Sequence, residues 1–494
     1  MIPSRVSLAL VLLLIVLRGV AAALLPLSAD EAYYWLWSQH LAAGYFDHPP
    51  MIAWLIRGGT ALFGDTPLGV RMAGVLLSLP ASWFVWRGAA AVLKDEDRAA
   101  LAVLLFNLTL MVSVELLAAT PDMPSIVTSA AFVYCFVRLQ ASRKRAYWLG
   151  AGIAAGLGLL SKFSMLFLGA GAFAWLLLDR DARPGADAPN RTSWLLTPWP
   201  WVAAVLALAI FLPNLIWQSQ HHWETFGFQF GRISAGQFTG RFVAEFLATQ
   251  FGLATPLIFV LMALGLSRAT RANGRLVLAL PVWTGLLYFL VHALHDRVQG
   301  NWPCFLYPAL AILAADAFAV QGPWRRCSMI AAPLAGVFLL AGYAQALVAP
   351  LALQKDPVAR LLGRDFAPIG EVAAALVKAH LADAVLTTDY ETTARLRFTQ
   401  PGVRVIQVTE PERYPDAPSP PPALLRARLV YLAELRRDQH QLVQRDFAYM
   451  GFPTQLQSSA GFYMGHAVEL QAPVSLYMLY PVGRPKSSQI GKMP

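Results

Sequence analysis

Long apolar runs broken by short polar stretches fill the first 350 residues of the chain. A helix needs about 20 apolar residues to cross the hydrocarbon core of a bilayer, where every backbone polar group must be satisfied within the segment. Eleven such runs are predicted, at roughly 5–26, 69–93, 97–115, 121–139, 146–160, 162–179, 194–216, 242–266, 275–294, 302–320 and 327–349. The fifth and sixth are short, as tilted or re-entrant segments are. The first ends in Ala21-Ala22-Ala23, which imitates a signal-peptide cleavage site, but Arg18 interrupts its apolar core, and it is read as an uncleaved anchor.

Past residue 350 the period changes. "GEVAAALVKAHL" has the spacing of an amphipathic helix, "DAVLTTDY" and "VRVIQV" read as strands on either side of "ETTARLRF", and "ARLVYLAE" reads as a further strand. "PERYPDAPSPPPALL" is a Pro-rich loop. The expected fold is an α-helical polytopic membrane protein, residues 1–349, followed by a small α/β domain, residues 350–494.

Composition agrees with the pattern: of 494 residues, 57% are hydrophobic and 14% charged, against about 25% charged in soluble domains. The net charge of +10 does not point to nucleic acid, because the Lys and Arg residues sit in short clusters between apolar runs. Those clusters (Arg87, Lys94 and Arg98; Arg138, Arg143, Lys144 and Arg145; Arg180, Arg183 and Arg191; Arg268, Arg271 and Arg275; Arg325 and Arg326) occupy alternate loops, which the positive-inside rule makes cytoplasmic. With an odd number of spans the N-terminus is cytoplasmic and the α/β domain lies outside, in the periplasm of a cell with an inner membrane. Cys135, Cys304 and Cys327 lack metal-ligand spacing, and neither a zinc site nor a disulfide is expected.

The opposite loops hold the unusual polar residues: "DEAYYW", "YFDHPP", "TPDMPS", "LLSKFS", "WQSQHHWETFGFQFGR" and "HDRVQGNWP". Ionisable groups at membrane depth are costly and mark a site by default. Plainer readings stand beside this one. Asp30 could cap a helix lying along the interface, Lys162 could snorkel to the headgroups, and Trp302 could belong to the aromatic belt. His221, His222 and Glu224 suit an interfacial loop better than a metal site, since adjacent histidines point to different faces. His292 and His295 suit hydrogen-bonded core positions better than substrate contacts. No glycine-rich phosphate loop, serine-hydrolase elbow or internal repeat is present.

In order along the chain, "DEAYYW", "YFDHPP", "TPDMP", "GLGLLSK" and "NWP" resemble the polyprenyl-phosphate-sugar-dependent glycosyltransferases of the GT-C fold, the superfamily of protein O-mannosyltransferases and the aminoarabinose lipid A transferase. The resemblance spans roughly residues 25–310. It implies a catalytic Asp in the first outer loop, matched by Asp30, and a second acidic residue in the next, matched by Asp122. The family's acidic-basic pair is replaced here by Asp47-His48, which weakens any inference about a cation there. The implied reaction is an inverting transfer from an undecaprenyl-phosphate type donor to lipid A, lipopolysaccharide or another envelope acceptor. No cofactor is assigned, and a divalent cation is left open.

The chemistry asks for the same residue types. An acceptor hydroxyl or amine attacking an anomeric carbon needs a carboxylate base, assigned to Asp30, with Asp122 in a supporting or sugar-binding role. The departing phosphate needs cationic donors, for which Lys162 leads His48, Arg232, Arg241 and Arg297. Glu31, Tyr34, Asp47 and Asn301 complete the expected substrate-binding set. Expected partners are the lipid donor, a lipid or glycan acceptor and membrane lipids, with no nucleic acid. A lipid transporter or flippase would also carry buried charges, but it would be expected to show repeated halves or paired broken helices.

Overall fold

The computed structural model describes residues 2–178, 191–231, 238–272, 274–318, 321–351 and, in shorter stretches, much of 353–480. Within these the chain is mostly helical. The first nine helices are α1 (Ser4–Leu24), α2 (Ala29–Gln39), α3 (Met51–Phe63), α4 (Pro67–Leu93), α5 (Glu96–Leu108), α6 (Leu110–Glu115), α7 (Asp122–Ser142), α8 (Ala146–Ser161) and α9 (Met165–Leu178). A 3-10 turn at Arg191–Leu196 leads to α10 (Pro198–Gln220), α11 (Glu224–Gly231), α12 (Arg241–Leu253), α13 (Pro256–Arg271) and α14 (Leu276–His292). A second 3-10 turn, Trp302–Leu306, precedes α15 (Tyr307–Ala317) and α16 (Arg325–Val348).

Among the described residues five helices, α1, α4, α7, α10 and α16, are long and apolar enough to cross a membrane, or six spans if α12 and α13 count as one bent pair. Several other expected spans are shorter apolar helices, among them α8, α9 and α14. The run 97–115 is not one helix. It divides at Thr109, whose backbone is extended and whose hydroxyl accepts the Val112 N–H to start α6. The run 242–266 also divides, α12 and α13 meeting at 110°. Between them Thr255 sits at φ +64, and Pro256 brings no N–H to continue the first ladder.

The chain separates into two compact units, one made of Met1–Ala22, Ala43–Leu55 and Arg71–Gly342, the other of Ala23–Ala42, Ile56–Val70 and Tyr343–Pro494. In the first unit small residues let helices approach closely, as they do in membrane bundles, where packing replaces the hydrophobic drive between helices. A Cβ on Gly152 would lie 2.6 Å from the Ala203 carbonyl oxygen and one on Gly156 would lie 2.9 Å from that of Ala207, so α8 rests on α10 along a four-residue repeat. Gly265 packs in the same way on the backbone of Leu313, joining α13 to α15. Arg18 is fully buried and donates to the hydroxyls of Ser78 at 2.7 Å and Ser113 at 3.4 Å.

In the second unit α17 (Phe366–Lys378), β1 (Ala384–Thr387), α18 (Tyr390–Thr399), β2 (Val405–Gln407) and β3 (Leu429–Glu434) follow in order. Beyond them lie β4 (Tyr449–Met450), β5 (Thr454–Leu456), β6 (Gly461–Tyr463), β7 (His466–Val468) and β8 (Val474–Tyr480), strands the sequence reading did not anticipate. The sheet order is β2-β1-β3-β8-β4, with β5 also on β8, and β6-β7 form a separate hairpin. β1 runs parallel to β2 and β3, β8 antiparallel to β3. All four residues of β1 are buried, as befits a strand covered on both faces. In this unit α2 packs on α18 through Trp35 against Phe398 (ring centroids 5.1 Å apart) and Tyr33 against Tyr390 (4.8 Å).

Candidate active site

The polar centre of the first unit follows from a helical hairpin. α7 has 21 residues and α8 has 16, joined by a turn in which Arg143 takes the left-handed conformation. At 1.5 Å per residue the two arms are about 30 and 24 Å long. The start of α7 therefore returns to within a lysine's reach of the end of α8. Asp122 is the first residue of α7, after Pro121, and Lys162 caps α8 in an extended conformation. Each charge also sits at the helix end whose dipole favours it. Lys162 Nζ lies 2.6 Å from Asp122 Oδ1, with side-chain exposures of 14% and 3%.

Two further donors arrive from the 3-10 turn before α15. Residues three apart eclipse in such a turn, so Asn301 and Cys304 present to one side. Asn301 Nδ2 donates to Asp122 Oδ2 at 2.8 Å, and Cys304 Sγ donates to Oδ1 at 3.0 Å. Gln250 of α12 braces this loop, donating to the Gly300 carbonyl at 2.8 Å and accepting from the Tyr307 hydroxyl at 3.0 Å. Nearby, Thr120 donates to the buried Glu115 at 3.2 Å. The arrangement holds an ammonium group in a mostly buried place with one of its hydrogens committed to Asp122. Such a group can meet an incoming anion with its remaining hydrogens.

Asp122, Lys162 and Asn301, singled out separately in sequence, thus form one cluster. Cys304, Glu115 and Gln250 were passed over. The spacing N-x-x-C was a usable signal for Cys304; a lone Glu or Gln near the end of an apolar run gave little. Asp47 and His48 belong to this same unit, in a loop held by its backbone: Gln229 donates to the Asp47 carbonyl at 2.6 Å, Thr225 to that of Tyr45 at 2.6 Å and Asn214 to that of Ala43 at 2.8 Å. Gly44 lies so close to the Trp217 ring that a side chain would collide. Arg297 is an exposed partner of Glu245 at 2.7 Å, and Arg241 is exposed at the start of α12. Arg232 lies outside the described residues. His221 stacks on Trp217 at 3.9 Å, His292 is buried against Trp302 at 5.5 Å, and His295 Nδ1 lies 3.2 Å from the Val291 carbonyl oxygen.

Asp30, Glu31 and Tyr34 belong to the second unit. The helix cap is Ser28 rather than Asp30: its hydroxyl accepts the Glu31 N–H and Glu31 accepts the Ser28 N–H at 2.9 Å, a reciprocal capping box. Tyr34 is buried against Trp37. This leaves Asp30 exposed, with the Tyr390 hydroxyl donating to Oδ1 at 3.4 Å. Around Tyr390, Arg413 lies 4.4 Å from the ring centroid and pairs with Glu410 at 3.2 Å, while Arg437 contacts Asp389 at 3.5 Å and Glu391. Burial pushes the carboxyls of Asp389 and Glu410 above their ordinary range, outweighing the hydrogen bonds and arginines that pull them down.

Among the described residues no three His, Cys, Asp or Glu side chains converge as metal ligands. Asp122 accepts from an ammonium, an amide and a thiol. That donor set fits a held carboxylate and not a metal ligand.

Comparison with known proteins adds independent observations. The profile of dolichyl-phosphate-mannose-protein mannosyltransferases matches residues 47–217. The lipid A galacturonosyltransferase RgtD of Rhizobium johnstonii is 28% identical over 392 residues, covering 75% of this chain and 77% of that protein. An undecaprenyl phosphate-alpha-4-amino-4-deoxy-L-arabinose arabinosyl transferase of Pseudomonas savastanoi is 25% identical over 299 residues, 57% of this chain and 53% of its own. Among solved structures, ArnT from Cupriavidus metallidurans bound to undecaprenyl phosphate superposes with a TM-score of 0.63 at 16% identity, over 96% of this chain and 97% of that one.

Proposed function

We propose that this chain, a glycosyltransferase of the GT-C fold, moves a sugar from a polyprenyl-phosphate donor of the undecaprenyl type to lipid A, lipopolysaccharide or another envelope lipid or glycan. The observation that carries the reading is the Lys162–Asp122 pair, a lysine held against a carboxylate among apolar helices. The names of the relatives support a lipid-phosphate donor and a lipid acceptor, and make a galacturonosyl or aminoarabinosyl group the first sugar to try.

In this mechanism the acceptor oxygen or nitrogen attacks the anomeric carbon while the bond from that carbon to the phosphate oxygen breaks. The acceptor proton passes to Asp30, and the bonding pair leaves with the phosphate, whose charge Lys162 meets. The anomeric configuration inverts. Asp122 acts through Lys162, fixing the ammonium with help from Asn301 and Cys304. No step runs through a divalent cation. His48, Arg241, Arg297 and Arg232 are the alternative phosphate contacts, and Glu31, Tyr34 and Asp47 shape the sugar side. The orientation follows the loop charges, with the N-terminus cytoplasmic and residues 350–494 periplasmic in an inner-membrane protein.

The test is Asp30→Asn in membranes supplied with a labelled lipid-phosphate sugar. Transfer should be lost with folding preserved, and Asp122→Asn should lower turnover less than Asp30→Asn. Undiminished transfer by Asp30→Asn would remove the base from Asp30. A protein that moves donor lipid across the bilayer and leaves glycosylation intact in both variants would be a flippase.

A further inference from the structure

At the other end of the α7–α8 hairpin lies an apolar cleft of about 230 Å³, bounded by α7, α8, α9, the first 3-10 turn and α10. Phe136, Trp148, Ala155, Gly169, Phe173 and Trp201 define its walls. Gly169 is a helical glycine, and among the described residues no atom outside its own helix backbone lies within 4 Å of where a Cβ would stand, so the space beside it is open. Phe173 is 51% exposed and Trp201 59%, placing the cleft on an outward surface. One wall carries an unmet polar group. Trp148 is 3% exposed, and its indole N–H has no acceptor among the described residues.

The rim at this end is basic. Lys144 and Arg145 are exposed in the turn between α7 and α8, and among the described residues neither pairs with a carboxylate. Arg145 lies 5.7 Å from the Trp199 ring, beside the start of the cleft's α10 wall. Along α8 the order is therefore cation at 144–145, unpartnered indole N–H at 148, small residues at 151–155. Successive helical turns are about 5 Å apart. A glycerophospholipid has the same order and similar spacing, with phosphate, then ester carbonyl, then acyl chain.

We infer that this cleft binds one anionic phospholipid of the surrounding bilayer: its phosphate meets Lys144 and Arg145, an ester carbonyl accepts the Trp148 N–H, and an acyl chain runs beside Gly169. The basic rim stands about a helix length from Lys162, at the opposite end of α7 and α8, and the apolar walls reach back along α8 and α9 as far as Ala155 and Gly169. The site does not depend on the transfer reaction.

Native mass spectrometry of the full-length protein can read it, with palmitoyl-oleoyl phosphatidylglycerol and phosphatidylcholine offered in turn. Wild type should retain phosphatidylglycerol preferentially. Lys144→Gln and Arg145→Gln should each weaken that preference about fivefold, the ratio equivalent to ~1 kcal/mol per basic residue at an anionic surface. Gly169→Leu, which fills the cleft with the charges intact, should lose retention of the bound lipid; Ala204→Leu, on the exposed α10 wall, is the second filling variant if the first folds poorly. Equal retention of the two lipids by wild type, or retention unchanged by cleft filling, would overturn the assignment. Displacement of phosphatidylglycerol by undecaprenyl phosphate would also overturn it, assigning the cleft to a polyprenyl tail.

Discussion

Neutralising Asp122 and Lys162 singly and together separates the folding role of their contact from its role in transfer. The pair is 2.6 Å apart and largely shielded, so removing one partner leaves the other charge without compensation. Breaking a buried pair in this way costs roughly 3–5 kcal/mol, whereas replacing both partners with neutral groups of similar volume is often close to neutral. Asp122→Asn turns the ammonium toward an amide, and Lys162→Met leaves a carboxylate supported, among the described residues, by Asn301 and Cys304. Intrinsic-fluorescence melting of each variant in detergent should show a clear loss of stability in both single variants. The double variant should be closer to wild type than either single variant, so the coupling should exceed the loss of one single variant, above about 3 kcal/mol. Turnover should behave differently: Lys162→Met and the double variant should be equally impaired, because neither has a cation for the phosphate. Additive stability losses, or turnover restored together with stability, would refute the reasoning.

Other outcomes are expected elsewhere in the molecule. Tyr390→Phe removes a hydroxyl that donates to Asp30 and should lower turnover about two- to tenfold without loss of folding; unchanged steady-state rates would show that this contact does not orient the base. Thr255 is a β-branched residue at φ +64, a strained state for any residue but glycine, so Thr255→Gly should raise the melting temperature or leave it unchanged, and a marked fall would contradict the strain. A carboxyl whose native pKa is raised supports folding below its unfolded pKa and loses that support as pH rises through the native value. Asp389→Asn, which keeps a capping oxygen, should therefore gain stability relative to wild type between pH 3.8 and neutrality; a difference that stays constant with pH would contradict the raised value.

Apolar runs made the helical character legible because the bilayer imposes a length that composition can reveal. The breaks were harder to read. Thr109 and Thr255 interrupt runs that hydropathy alone joins, since threonine lowers the average too little to register. The pair Asp122 and Lys162 is 40 residues apart and Asn301 is 179 residues from Asp122; each was conspicuous as a polar group among apolar ones, but only the hairpin and the 3-10 turn show that they touch. Cys304 is legible only through its spacing from Asn301, because a thiol in an apolar run otherwise reads as core. The stretch from Leu27 to Pro50 reads as an interfacial helix followed by Asp47-His48 in a single outer segment, yet Asp30 and Glu31 cluster with residues 343–494 and Asp47 and His48 with the helical unit. Local sequence proximity carries no information about which long-range partners each half will take.

The most direct measurement of the proposed reaction is reconstitution of the purified chain in liposomes with lipid A and an undecaprenyl-phosphate-linked sugar, followed by mass spectrometry of the acceptor. The expected result is lipid A heavier by one sugar residue, with release of undecaprenyl phosphate in equal amount, abolished by Asp30→Asn and absent when the same sugar is supplied as a nucleotide conjugate. Transfer from the nucleotide conjugate, or no sugar moved to any envelope lipid or glycan acceptor while the protein remains folded and binds the donor, would contradict it.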